Sequence, residues 1–152
     1  MIAGATSLGM NHFSPSGIAL LGQWDKSKGV VTPKSKQEII HGEIEINNPL
    51  RVLQLLKNKE VVLLDVRPTH IYDQGHLPGA LSFPLVNFEE NLEQLQTTFK
   101  RDTAILVYCS GIECSDSHGF ASKLVALKFT QVQVYSGGFS EWQEMGFEIE
   151  KK

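Results

Sequence analysis

Two runs of this chain, Val61-Val-Leu-Leu64 and Ala104-Ile-Leu-Val107, carry no polar side chain at all. A strand with one wet face alternates polar and apolar residues. A strand without polar positions belongs in a parallel sheet covered on both faces. Around these runs the periodicity is helical. Asn48 followed by Pro49 is an N-cap and first-turn pair, and the helix it opens places Val52, Leu53, Leu55 and Leu56 on an apolar face. A helical segment is expected near Phe88–Gln96. Another carries Phe120, Ala121, Leu124 and Val125 and ends near Lys128, and a short closing helix covers Phe139–Met145. Glu43-Ile-Glu-Ile46 alternates as an edge strand would, and Val132-Gln-Val134 supplies a further strand. Strands alternating with helices predict an α/β domain, an open and mainly parallel sheet of about five strands with helices on both faces. In such sheets ligands bind outside the carboxyl ends of the strands.

Cys109 stands at such an end, between the run 104–108 and a short loop that leads into a helical pattern. Backbone N–H groups at a helix N-terminus favour anions and therefore a thiolate over a thiol. A field worth about 1–2 kcal/mol lowers a thiol pKa by about one unit, from near 8.5. The competing reading is an inert buried cysteine, the commoner fate of free cysteines.

Composition narrows the function classes. The 152 residues, 41% hydrophobic, suit one domain with a single core. A net charge of −3 and the lack of any basic stripe argue against nucleic acid as a partner. Two cysteines make no disulfide framework, and a reducing, cytoplasmic setting is the simple inference. They supply at most half of a structural zinc site, a deficit that His118 does not repair, so no metal is expected. The first 24 residues lack Asp, Glu, Lys and Arg, but the apolar stretch 1–10 falls far short of the ~20 residues of a membrane span. Residues 1–37 read as a tail and linker, or as the end of a membrane-proximal segment of a longer parent. Residues 38–152 read as the folded domain.

Two further stretches accompany Tyr108-Cys109: Leu63-Leu-Asp-Val-Arg-Pro-Thr-His-Ile-Tyr-Asp-Gln-Gly-His-Leu-Pro-Gly-Ala80 and Val132-Gln-Val-Tyr-Ser-Gly-Gly-Phe-Ser-Glu-Trp142. In this order and spacing they resemble the rhodanese family of single-domain sulfurtransferases, over about residues 38–150. The resemblance implies a rhodanese-like fold and a persulfide-forming nucleophile at Cys109. It also implies a substrate loop of Ser110, Gly111, Ile112, Glu113, Cys114 and Ser115 whose N–H groups hold the sulfur. No cofactor is implied. The partners would be a small sulfur donor and a cyanide or thiol acceptor, protein thiols included. Asp65, ending a strand, is placed to accept backbone or arginine hydrogen bonds. Arg67 and His76 either face the loop or fix it. Gly75, Gly79, Gly137 and Gly138 supply turns or close approaches, and Trp142 reads as core.

The chain departs from the family pattern in three places. Ile71 stands before Tyr72 where an acidic residue is common, the loop glycine is displaced to Gly111 with Ile112 in its usual place, and the loop lacks its arginine. Family loops carry Arg five residues after the cysteine, and here that residue is Cys114, with Glu113 beside it. An arginine fork suits a doubly charged anion, so its loss is expected to weaken thiosulfate binding. A cysteine phosphatase is excluded on the same ground, because no Lys or Arg lies between Cys109 and Lys123. If the loop curls tightly, Cys109 and Cys114 fall within disulfide reach, roughly 4.4–6.8 Å between Cα atoms. Cys114 could then attack a persulfide or sulfenic acid on Cys109, releasing sulfide or water. Otherwise Cys114 is a small apolar filler. Three functions stay open at this point: sulfurtransferase, a Cys109/Cys114 redox switch, and a non-catalytic binding module.

Overall fold

The architecture is that of a computed structural model, which describes residues 43–152 and the backbone of 39–40. The expected tail, linker or membrane-proximal segment at 1–37 lies outside the described residues. The strands are β1 (Ile39–Ile40), β2 (Glu43–Ile46), β3 (Val62–Asp65), β4 (Leu81–Ser82), β5 (Ala104–Tyr108) and β6 (Gln131–Tyr135). The helices are α1 (Pro49–Lys57), α2 (Thr69–Gln74), α3 (Leu92–Thr98), α4 (Asp116–Ala126) and α5 (Gly138–Glu144). They build one six-stranded sheet of order β1-β2-β6-β5-β3-β4. Only the β1–β2 pairing is antiparallel, so five strands run parallel with the apolar β5 in the centre. The expected mainly parallel sheet is present, with one strand more than anticipated.

The pleat sorts neighbouring residues to opposite faces. Leu64, Ile105, Val107 and Cys109 join Leu95, Phe120 and Leu124 from α3 and α4 in one buried cluster. Leu63, Leu106, Tyr108 and Tyr135 join Val52, Leu55 and Trp142 from α1 and α5 in the other. Cys109 therefore continues the β5 alternation onto the α4 face. Trp142 is core, as expected, its ring edge-on to Phe147.

Local chemistry explains the ends of the helices. Asn48 caps α1, its side chain accepting from Leu50 N at 3.0 Å and Arg51 N at 3.4 Å, with Pro49 in the first turn. The segment expected as a helix over 88–96 is divided. A 3₁₀ turn occupies Leu85–Asn87, and α3 begins only at Leu92. Phe88 lies between them, buried and edge-on to Phe120 at 4.9 Å, and this packing displaces the helix start. The strand β2 is a second correction. It is an inner strand between β1 and β6 rather than the edge, and Glu43 is fully buried with its carboxylate 3.4 Å from His118 Nδ1. Among the described residues no helix is long and apolar enough to cross a membrane.

Helix α4 stops two residues before Lys128, which takes φ +70° while its N–H reaches Val125 O at 2.9 Å. A side chain in this left-handed conformation costs about 1–2 kcal/mol, and glycine is the usual residue after a helix end. Lys128→Gly is expected to raise stability by about 0.5–1 kcal/mol, the relief being partly offset by glycine's greater chain entropy. Urea denaturation checks this: the midpoint rises while the slope stays unchanged.

Candidate active site

The parallel registers pair Asp65 with Tyr108 and Tyr108 with Tyr135, so β3, β5 and β6 end level. Three connections leave this common edge: the 66–80 segment after β3, the cysteine loop after β5, and the Gly137-Gly138 turn after β6. The register thus gathers all three sequence motifs at the carboxyl end of the sheet.

Asp65 anchors the edge. Its carboxylate accepts from Arg67 N (3.0 Å), from Arg67 Nε (3.0 and 3.1 Å) and Nη2 (2.6 Å), and from Tyr108 Oη (2.5 Å). Arg67 Nη2 also donates to Gly75 O at 2.8 Å, and the Tyr108 hydroxyl accepts from Leu77 N at 3.1 Å. The guanidinium packs over the Phe139 ring, 4.2 Å from its centroid. Burial alone would lower the Arg67 pKa, but the hydrogen bond and charge of Asp65 more than offset this and hold it above the ordinary value. Arg67 is thus held by Asp65, by Gly75 O and by the Phe139 ring, and it also borders a cavity. His76 is likewise occupied: it stacks on Tyr72 at 3.8 Å, lies 2.9 Å from Tyr72 O, and its backbone bridges to Glu150. The structure brings Asp65 and Arg67 to the edge of the sheet but directs His76 to the C-terminal strand segment.

In the loop, Cys109 is 1% exposed and is joined to Cys114 as a disulfide with Cα atoms 6.4 Å apart. A turn with Cys114 N on Gly111 O at 2.9 Å brings the two residues together. The nearest polar neighbours of Cys109 Sγ are Cys114 O at 3.1 Å, Ser117 Oγ at 3.4 Å and Gly111 O at 3.9 Å. In this disulfide form no N–H of the expected ring from 110–115 hydrogen-bonds to Cys109 Sγ. The tight turn directs two carbonyls at the sulfur, and the one hydroxyl beside it comes from the first turn of α4. Ser117, 1% exposed, was missed because it lies eight residues beyond Cys109, after the loop.

The loop is docked on α5. Phe139 N donates to Cys109 O at 2.9 Å and Ser140 N to Ser110 O at 2.8 Å, so loop carbonyls satisfy the free N–H groups of that helix. The approach requires Gly138, at φ +57°, where a Cβ would lie 2.5 Å from Cys109 O and 2.7 Å from Gly111 N. Outside the loop a cavity of about 530 Å³ is bounded by residues 110–114 together with Gly137, Ser140, Glu141 and Glu144. Its charged lining residues are Glu113, Glu141 and Glu144. Glu141 accepts from Tyr135 Oη at 2.8 Å. The acids from α5 were not read as site residues; the Ser140-Glu141 pair inside the third motif was their signal. A second cavity of about 390 Å³ lies on the other side of Ser110 and Ser140 and reaches Arg67, Phe139 and Lys151.

Comparison with known proteins agrees with this geometry. Residues 48–145 match the family model for the rhodanese-like domain. The chain is 32% identical over 101 residues to an HTH-type transcriptional regulator of Mycobacterium tuberculosis, covering 64% of this chain and 42% of that protein. It is 30% identical over 93 residues to the thiosulfate sulfurtransferase GlpE of Pseudoalteromonas translucida, covering 61% and 83% of the two. Among solved structures, the thiosulfate sulfurtransferase of Pseudomonas aeruginosa matches with a TM-score of 0.59 at 22% identity, over 72% of this chain and 20% of that one. The chain thus spans less than half of the regulator's length.

Gly138→Ala is expected to cost about 2–4 kcal/mol, from strain at a left-handed position and from the clash with the loop backbone. Thermal denaturation gives the loss, and faster thiol labelling of the reduced protein reports the displaced loop. A pH series tests the anchor. Burial first, then the charge and hydrogen bond of Asp65, hold the Tyr108 phenol far above its usual value. A folded pKa raised above the unfolded one, about 10, means that stability falls as pH rises past about 10, by up to about 1.4 kcal/mol per pH unit. Denaturation midpoints should decline more gently above that pH in Tyr108→Phe than in the unaltered protein.

Proposed function

Because the chain belongs to the rhodanese-like domain family, we propose that it is a sulfurtransferase that carries a sulfane sulfur as a persulfide on Cys109. The Cys109 thiolate attacks the outer sulfur of a donor. A sulfur–sulfur bond forms on Cys109 as the donor's own breaks, and a thiolate or sulfite leaves. A second thiolate, or cyanide, then takes the outer sulfur and restores Cys109. This is nucleophilic catalysis by double displacement, for which the chain's own residues suffice.

The observation that carries this reading is the position of Cys109, directly after the central strand at the carboxyl edge of a parallel sheet. Ser117 Oγ supports it as a donor beside the sulfur, and the first turn of α4 supplies favourable backbone dipoles. The lining of the cavity bears on the donor. Three carboxylates with no arginine fork repel a dianion, so a small persulfide is the better donor and thiosulfate the poorer. A lost charge-assisted hydrogen bond is worth about 1.5–3 kcal/mol, or about 10- to 100-fold in binding.

Intact mass of the reduced protein, after exposure to thiosulfate or separately to a small alkyl persulfide, tests both statements. In Cys114→Ser, which keeps only the Cys109 thiol, one sulfur should be gained from the persulfide and removed again by cyanide. Thiosulfate should load about 10- to 100-fold less efficiently. Cys109→Ser should gain none. Equal loading of that variant would refute Cys109 as the carrier.

A further inference from the structure

The cysteine standing where the family carries arginine gives a carried sulfur a second way out. Resting on the persulfide reading above, we propose that Cys114 discharges the Cys109 persulfide within the molecule and expels its outer sulfur as hydrosulfide. The domain then releases sulfide without any external acceptor.

Three observations combine. The first is reach. Cys114 is joined to Cys109 Sγ itself, with Cα atoms 6.4 Å apart, inside the span that a disulfide bridges without backbone movement. In a persulfide that atom is the inner sulfur. A thiolate attacking the outer sulfur merely moves it across, whereas attack on the inner sulfur expels the outer one. The second is placement. Cys114 is half-buried and borders the 530 Å³ cavity, so it has one side on Cys109 and one on open space into which a small product escapes. The third is charge. Glu113, Glu141 and Glu144 border the same cavity, with no Lys or Arg among its lining residues. Nearby carboxylates disfavour an ionised terminal sulfur and so raise the fraction present as S–SH. That form leaves as hydrosulfide, whereas an ionised one would have to leave as a sulfide dianion.

The step balances. Cys114 gives its proton to solvent and attacks Cys109 Sγ. The Cys109–Cys114 bond forms as the inner-to-outer sulfur bond breaks, and hydrosulfide departs with the bonding pair. The sulfane sulfur is reduced, and the two cysteines are oxidised to the disulfide. A dithiol reductant resets the pair by exchange, taking the disulfide onto itself.

The test uses the full chain, reduced and handled without oxygen, loaded with one equivalent of glutathione persulfide and freed at once of small molecules. Sulfide is trapped with a bimane reagent while intact mass is followed. The unaltered protein should release about one sulfide per chain and finish about 2 Da lighter than the reduced form. Cys114→Ser and Cys114→Ala should stay about 32 Da heavier, with sulfide release at least about tenfold slower. Retention of the added sulfur by the unaltered protein, or equally fast release by both variants, overturns the discharge step and leaves sulfur carriage standing. Failure of both variants to acquire sulfur on Cys109 overturns the persulfide reading and the discharge with it.

Discussion

The carboxylate of Asp65 fastens together segments that would otherwise only lie near one another. It has no exposed surface, and its guanidinium partner on Arg67 has 3%. Two charges taken out of water are tolerable only when donors surround them, and removing one partner of such a pair costs about 3–5 kcal/mol. Here the donors come from the β3 loop and from β5, while the Arg67 guanidinium reaches on to Gly75 O and lies against Phe139 of α5. Tyr108, held by this carboxylate, is the residue before Cys109. The ion pair therefore helps set the position of the Cys109 sulfur through a single peptide unit.

The same anchor shapes the electrostatics around the cysteine. The arginine of the first motif is turned inward and neutralised, so its charge contributes little to the cavity outside the loop. What faces that cavity is acidic, and Ile112, 83% exposed, adds an apolar lip. The cavity beside the loop thus lacks the cationic surroundings that hold a sulfur-oxyanion, and this bears on the sulfur carriage proposed for Cys109. The substitution of arginine by Cys114 changes two things together: it removes an anion receptor and installs a second thiol.

How far the sequence foretold this depends on the range of each interaction. The apolar runs of β3 and β5, the Asn48-Pro49 cap and the place of Cys109 after β5 rest on neighbours in the chain, and all are found. Asp65 with Arg67, two residues apart, was equally local. Tyr108 on Asp65 depends on strand register across 43 residues, and Glu43 beside His118 spans 75; neither leaves a local trace. The alternation of Glu43–Ile46 resembled an edge strand because polar residues commonly face water. Here one of them is fully buried against the half-buried His118. The direction of the loop carbonyls was hidden for a different reason. It follows from the Gly111–Cys114 turn, and residue types alone did not reveal which way its peptide groups point.

The hydrogen bonds from α5 to the loop have a kinetic meaning. Cys109 is 1% exposed, so a reagent would reach its sulfur only with the loop lifted. Lifting breaks two backbone bonds, Phe139 N to Cys109 O and Ser140 N to Ser110 O. At about 1 kcal/mol net for each, the lifted state is populated at roughly a few per cent. The chemistry of the thiol is thereby metered by the fraying of the first turn of α5, an element that contributes no sulfur ligand. On the proposed sulfur-carrier reading, substitutions in that turn would tune access to the thiol as a throttle does.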